Sequence, residues 1–279
     1  MSTPDNPQVP SAPTGAPMTA AGPVPGAPPA AIMPAAAAAF GSALGQAERY
    51  AALLAGPGVE RGVLGPAEAS RIWDRHLLNC AAVAELVPSP CSLIDLGSGA
   101  GLPGIVLAML LPDVAVTLLE PMARRVAFLD ECVRTLGLAN AEVRRGRAED
   151  LAGQLSADVV TARAVAPMYK LADLAIGLVN PGGLVLAIKG AGAAGEISRA
   201  MPVLRRLGAR DVEVVHAGSG KVSPAATVVR FTAGRVRSQV VRRRAAGQAA
   251  VMPAGQRLAA GPGRRRGMPG GRRGRRGSG

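Results

Sequence analysis

Residues 91–104, CSLIDLGSGAGLPG, leave the chain few folds to choose from. An apolar run of strand length (Cys91, Leu93, Ile94, Leu96) carries one acid, Asp95, and then breaks into Gly97, Gly99, Gly101 and Gly104. Glycine is the residue that turns a chain through conformations closed to other side chains, so this pattern predicts a strand entering a glycine turn and then a helix. Around it, candidate strands at 92–96, 115–119, 142–145, 158–162, 184–188, 211–215 and 227–231, most of them apolar, alternate with helix-length segments. That is the βαβ pattern, and it predicts an α/β, doubly wound, Rossmann-like domain built on a seven-stranded, mostly parallel sheet.

Upstream of the sheet, GPAEASRIWDRHLLNCAAVAELV repeats apolar residues at Ala69, Ile72, Trp73, Leu77, Cys80, Ala81, Ala84 and Val87. The spacing predicts one amphipathic helix with Pro66 in its first turn. A second helix is expected at about 42–55, and the two together form an N-terminal helical cap. The domain reading is therefore a disordered Pro/Ala-rich arm at 1–39, the cap at 40–90, the catalytic domain at 91–234 and an Arg/Gly-rich tail at 235–279. The arm holds ten prolines and a single charge, Asp5, a composition that cannot bury a core.

The net charge of +13 is informative mainly through its location. The tail from Arg235 contains thirteen arginines and no acid, whereas residues 1–234 carry nineteen basic and nineteen acidic side chains. The folded part is expected to be neutral and the tail to be a flexible arm. The tail suits RNA or DNA phosphates through counterion release, or serves as a solubilising terminus. The first basic residue is Arg49 and no apolar run reaches the length of a membrane helix, so a cytoplasmic protein with no membrane partner is expected. Cys80, Cys91 and Cys132 are scattered and the only histidines are His76 and His216. They read as thiols in a reducing compartment and offer no zinc site.

The glycine turn suits two cofactor classes. Gly99, Gly101 and Gly104 satisfy the dinucleotide pattern GxGxxG, with Glu120 one βα unit later as a ribose acid. Asp95 ahead of the first glycine favours S-adenosylmethionine instead: an acid at the strand tip repels a pyrophosphate but can hold an amino group, directly or through water. Glu120 can accept two ribose hydroxyls. The competing reading is that Asp95 and Glu120 cap the helices that follow them. Ala148 and Glu149 in GRAED face either an adenine edge or, for Glu149, a helix dipole. Arg163 ends the fourth strand, where the carboxyl edge of the sheet faces a cleft; the alternative is a surface arginine paired with an acid. The same stretch, TARA, lacks the Asn/Asp-Pro-Pro-aromatic signature of amine methylation, and no cysteine sits at the tip of the fourth or fifth strand. What remains is an acceptor with its own lone pair, such as a ring nitrogen, for which alignment matters more than a base.

RIWDRHLLNCAAV, LIDLGSGAGLPGIVLAML, LLEPMARRVAFLDE, RGRAED, VVTARAVAP and PGGLVLAIKG, in that order, resemble the bacterial small-subunit ribosomal RNA guanine-N7 methyltransferases, also called glucose-inhibited division protein B. The resemblance covers about residues 50–231. It implies a class I S-adenosylmethionine-dependent fold and methylation of guanine N7 in 16S ribosomal RNA of the small subunit. It places cofactor contacts on Gly97, Leu102, Ala148, Glu149 and Arg163, which join Asp95, Gly99, Gly101 and Glu120 from the motif. Arg163 and Lys189 are the candidate catalytic residues, and Arg75 and His76 match positions facing RNA or the cleft; His76 reads equally as a satisfied core histidine. A monomer is expected, with the tail on RNA phosphates. The rival readings are a small-molecule methyltransferase, an inactive RNA-binding protein and, disfavoured by Asp95, an NAD-dependent oxidoreductase.

Overall fold

The computed structural model describes residues 26–220 and 222–234. Seven strands form one sheet: β1 (Cys91–Leu96), β2 (Val114–Glu120), β3 (Ala141–Arg145), β4 (Ala157–Arg163), β5 (Val179–Lys189), β6 (Arg210–Ala217) and β7 (Ala226–Thr232). Their order is β3-β2-β1-β4-β5-β7-β6. The first five run parallel, and β7 lies antiparallel to both of its neighbours. The strand order reverses between β1 and β4, which puts the carboxyl ends of these two strands at the edge of a natural crevice.

The period-two alternation of each strand divides the apolar side chains between two cores. Leu93, Val116, Leu118, Val159, Leu186, Ile188 and Val228 pack on one face. Ile94, Leu119, Val160, Val185, Ala187, Val229 and Phe231 pack on the other. The first face is covered by α4 (Gly104–Leu110), α5 (Ala123–Leu136) and the N-terminal helices, the second by α6 (Ala148–Leu151), α7 (Met168–Leu178) and α8 (Ala193–Arg206). Helix α4, GIVLAML, is buried from Gly104 to Met109, as an all-apolar helix between a sheet and a cap must be.

The cap differs from the single amphipathic helix expected. Residues Pro66–Arg71 wind as a 3₁₀ helix, Ile72–Leu77 as a wide π turn, α3 (Leu78–Ala82) as a short α-helix, and Val83–Leu86 again as 3₁₀. The predicted apolar face survives, since Ile72, Trp73, Leu77, Cys80 and Ala81 are buried. The wide turn re-aims what lies between them, and it carries Arg75 and His76 to β4.

The 1–39 arm also needs correction where the structure describes it. Met33–Phe40 forms α1, with Pro34 in its first turn and an alanine run that favours helix. Ala36 and Phe40 are buried, and Phe40 meets Trp73 edge-on with ring centroids 5.9 Å apart. The Trp73 indole N–H donates to the Gly26 carbonyl at 2.9 Å. The described part of the arm, 26–39, carries no charge, and it docks because the cap offers an aromatic side chain whose polar edge needs a partner. Next comes α2 (Leu44–Leu53), extended by a π turn at Leu54–Gly58. The expected disorder of residues 1–25 and 235–279 lies outside the described residues. Among the described residues no helix is long and apolar enough to cross a membrane.

Candidate active site

The glycine turn lies at the carboxyl end of β1. Gly97, Gly99 and Gly101 all have positive φ, at 68°, 58° and 93°, the region where only glycine sits without strain. They serve different ends. A Cβ on Gly101 would lie 2.4 Å from Ile105 Cδ1, and one on Gly104 would lie 2.3 Å from Leu118 Cδ2. Gly104 lets α4 lie close to β1 and β2, and Gly101 lets the turn pass beneath Ile105 and the Tyr50 hydroxyl of the cap. A Cβ on Gly99 would have Gly97 O at 3.8 Å as its nearest neighbour, so Gly99 borders open space in which a ligand can approach the backbone.

Two carboxylates shape this turn. Asp95 has no exposed surface; its Oδ2 accepts the Gly104 N–H at 3.0 Å and its Oδ1 accepts the Thr161 hydroxyl at 3.2 Å. Burial raises its pKa to about 6 despite these hydrogen bonds, because desolvation disfavours the charged form. Its carboxylate therefore faces the start of α4 and not the crevice, which is the helix-capping reading. Glu120, 2% exposed, accepts the Gly99 N–H through Oε2 at 3.0 Å and the Met122 N–H through Oε1 at 2.9 Å. It caps the turn before α5 and also reaches across to the loop beyond β1.

Tyr50 on α2 was not singled out from the sequence. Its buried hydroxyl donates to the Ala100 carbonyl at 2.6 Å, so the cap holds the glycine turn from above. Thr161, which steadies Asp95, was likewise missed. The signal for both was a lone hydroxyl inside an apolar run, which needs a buried partner.

Arg163 ends β4 on the same face as Val159 and Thr161, and so points toward the cap. Its Nη1 donates to Cys80 Sγ at 3.2 Å and its Nη2 to the Arg75 carbonyl at 3.3 Å and to His76 Nδ1. Burial pushes the Cys80 thiol up, so the sulfur meets Arg163 as a neutral thiol. His76 Nε2 lies 2.8 Å from Glu68 Oε2, and Arg75 pairs with Glu68 at 3.2 Å.

Lys189 does not join Arg163. Ile188 pairs with Arg163 in the sheet and packs in the cap-side core, so Lys189 faces the opposite side. There its ammonium donates to the Ala166 carbonyl and to Glu196 Oε2, each at 2.8 Å. Glu196 also accepts the Met168 N–H at 3.0 Å. Lys189 thus ties the loop after β4 to α8. Leu102 and Ala148 are buried at the rim, and Glu149 is exposed in the first turn of α6. The Gly146 N–H donates to the Glu120 carbonyl at 3.2 Å, which brings the loop before Ala148 against the ribose-side acid. A nucleoside sulfonium fits this donor set: an open backbone at Gly99, a carboxylate with lone pairs beyond the two already used, and a loop beside it for the base.

The family model described as rRNA small subunit methyltransferase G matches residues 43–223. The ribosomal RNA small subunit methyltransferase G of Thermobifida fusca is 55% identical over 193 residues, covering 69% of this chain and 81% of that protein. The protein of the same name from Salinispora tropica is 50% identical over 222 residues, covering 77% and 92%. A crystal structure of a SAM-dependent methyltransferase from Aquifex aeolicus superposes with a TM-score of 0.46 at 18% identity, over 61% of this chain and 99% of that one.

Proposed function

The chain belongs to the rRNA small subunit methyltransferase G family, and we propose that it methylates N7 of a guanine in 16S ribosomal RNA. The observation that carries this reading is the extent of the match: residues 43–223 include the cap, the glycine turn, Glu120 and the tip of β4. The enzyme is S-adenosylmethionine-dependent.

The cofactor supplies a methyl group on a sulfonium, an electrophile that needs no further activation. Transfer to the lone pair of guanine N7 would leave a neutral thioether on the donor and carry the positive charge to the base. No proton leaves in this step, so the residues have to align and exclude water. Gly99 lets the donor approach the backbone and Glu120 receives the ribose hydroxyls. Gly97, Leu102, Ala148 and Glu149 line the nucleoside. Asp95 acts through the turn it holds, by fixing Gly104 and Thr161. Arg163 has five N–H donors, of which three go to the cap, which leaves two to donate to an anionic or carbonyl oxygen of the bound donor. Lys189 holds the loop 164–167 in place.

The thirteen-arginine tail contacts RNA phosphates, and the enzyme acts in the cytoplasm, as a monomer, on the small ribosomal subunit. The test is incubation with methyl-labelled S-adenosylmethionine and small subunits lacking the modification, followed by digestion of the RNA. Label is expected in 7-methylguanosine. Saturable cofactor binding with label in no nucleoside would move the function to a small-molecule acceptor or to RNA binding without catalysis.

A further inference from the structure

Arg163 reaches the cleft from β4, yet its guanidinium donates to three acceptors on the cap: Cys80 Sγ, the Arg75 carbonyl and His76 Nδ1. Two of these acceptors are fixed in character, a thiol and a backbone carbonyl. The third is titratable. An arginine only donates, so the bond to Nδ1 requires that nitrogen to hold a lone pair. The proton of a neutral ring must then sit on Nε2, which faces Glu68 Oε2 at 2.8 Å. The ring N–H is not aligned for a hydrogen bond to that oxygen, but the negative charge beside Nε2 still favours the proton there.

We propose that neutral His76 is a positioning residue that sets the pose of Arg163 in the cofactor site, with Glu68 fixing its tautomer. The proposal rests on the reading of Arg163 as a cofactor contact. It gives a use to the wide turn at Ile72–Leu77, which presents both the Arg75 carbonyl and the His76 ring to one guanidinium. It also gives a role to a histidine that is 6% exposed, whose Nδ1 meets the Arg163 guanidinium while its Nε2 lies 2.8 Å from Glu68 Oε2 without a hydrogen-bond partner.

The charged groups facing His76 are Arg163 from β4, Glu68 from the 3₁₀ turn and its own neighbour Arg75. Burial first, and then the Arg163 charge, lower the His76 pKa, with Glu68 opposing. Protonation at Nδ1 would replace an acceptor by a donor and set two cations side by side, so the guanidinium would leave its pose. Cofactor affinity is therefore full at neutral and alkaline pH and falls once pH drops below the ordinary imidazole value toward the lowered one. Asp95, with a pKa of about 6, titrates nearby, and a variant has to separate the two.

The experiment is calorimetric titration of the full chain with S-adenosylmethionine between pH 5 and pH 8.5. His76→Leu should weaken binding about tenfold at pH 7.5, the loss of one charge-assisted hydrogen bond. His76→Asn keeps an acceptor near the Nδ1 position and cannot titrate, so it should restore most of that affinity and flatten the His76 part of the acid limb. Any limb that survives in His76→Asn belongs to Asp95. Because His216 is the only other histidine, a long-range proton–nitrogen spectrum of the wild type reads the tautomer directly, with the proton expected on Nε2. Arg163→Ala separates the role of Arg163 from that of His76. If Arg163→Ala binds as tightly as wild type, the assignment of Arg163 fails and this proposal with it. If Arg163→Ala is weak but both His76 variants bind as wild type with an unchanged pH profile, or the Nδ1–H tautomer is found, the positioning role alone is overturned.

Discussion

Asp95 has no exposed surface and a pKa raised to about 6, so its ionised form at neutral pH is held at a cost. An acid whose pKa rises on folding contributes stability that is complete below the ordinary aspartate value and is lost as pH climbs through the folded value. The shift to about 6 corresponds to about 3 kcal/mol above pH 7. Asp95→Asn keeps an oxygen for the Gly104 N–H and offers an amide to the Thr161 hydroxyl. The variant should therefore be more stable than wild type at pH 8, by up to about 3 kcal/mol, with the gain shrinking toward zero at pH 4. Denaturant melts at the two pH values check it, and an equal difference at both would contradict the buried-charge account. The glycines give a second ranking. Gly101→Ala has to displace Ile105 and the Tyr50 hydroxyl and should cost about 2 kcal/mol or more. Gly99→Ala meets only open space and should cost about 1 kcal/mol from its backbone conformation. Its larger effect should appear in cofactor affinity, so thermal melts and cofactor titrations on the two variants should rank them in opposite orders.

At the scale of elements, the cap and the sheet share the site. α2 holds the glycine turn through Tyr50, and the wide turn at Ile72–Leu77 holds Arg163. Tyr50→Phe removes the donor to the Ala100 carbonyl and leaves the ring packed. A loss of about 1 kcal/mol is expected, or about 2–4 °C in thermal midpoint, with weaker binding of S-adenosylmethionine. A variant that loses stability but binds as wild type would show that the glycine turn keeps its shape without the cap. All seven strands were readable in the sequence, most as short apolar runs between turn residues and β3 (AEVRR) and β6 (RDVEVVHA) from their place in the βαβ alternation; six start one residue earlier than expected, and β5 starts at Val179 and not 184. There Asn180 to Gly183 form an irregularity, as β5 steps from Val179 to Leu184 while β4 advances from Ala157 to Val159. Which side chains share a face was readable within a strand but not between strands. Arg163 and Lys189 both end strands, and only the pairing of Arg163 with Ile188 reveals that they point to opposite sides. The docking of α1 was hidden by a proline-rich composition and decided by Trp73, whose indole reaches a carbonyl 47 residues away.

On the scale of the whole molecule, charge and catalysis occupy different parts of the chain. Residues 1–234 balance nineteen basic against nineteen acidic side chains, and the thirteen arginines of the tail make up the net +13. A neutral body gives little nonspecific pull toward RNA, so the long-range attraction is assigned to the tail and the choice of nucleotide to the cleft. The two assignments predict separable losses. Truncation after Gly234 should leave the affinity for S-adenosylmethionine unchanged, because none of the residues assigned to the cofactor lies beyond it. RNA affinity should fall most at low salt, and the slope of log K against log salt should shrink by about 0.7–0.9 for each phosphate that the shortened chain no longer neutralises. The turnover number on saturating small subunits should be retained while the KM for them rises. Filter binding across a salt series, with full-length and truncated protein side by side, measures this. Parallel lines with equal slopes would place the phosphate contacts on the body, despite its balanced charge, and reduce the tail to a solubilising terminus.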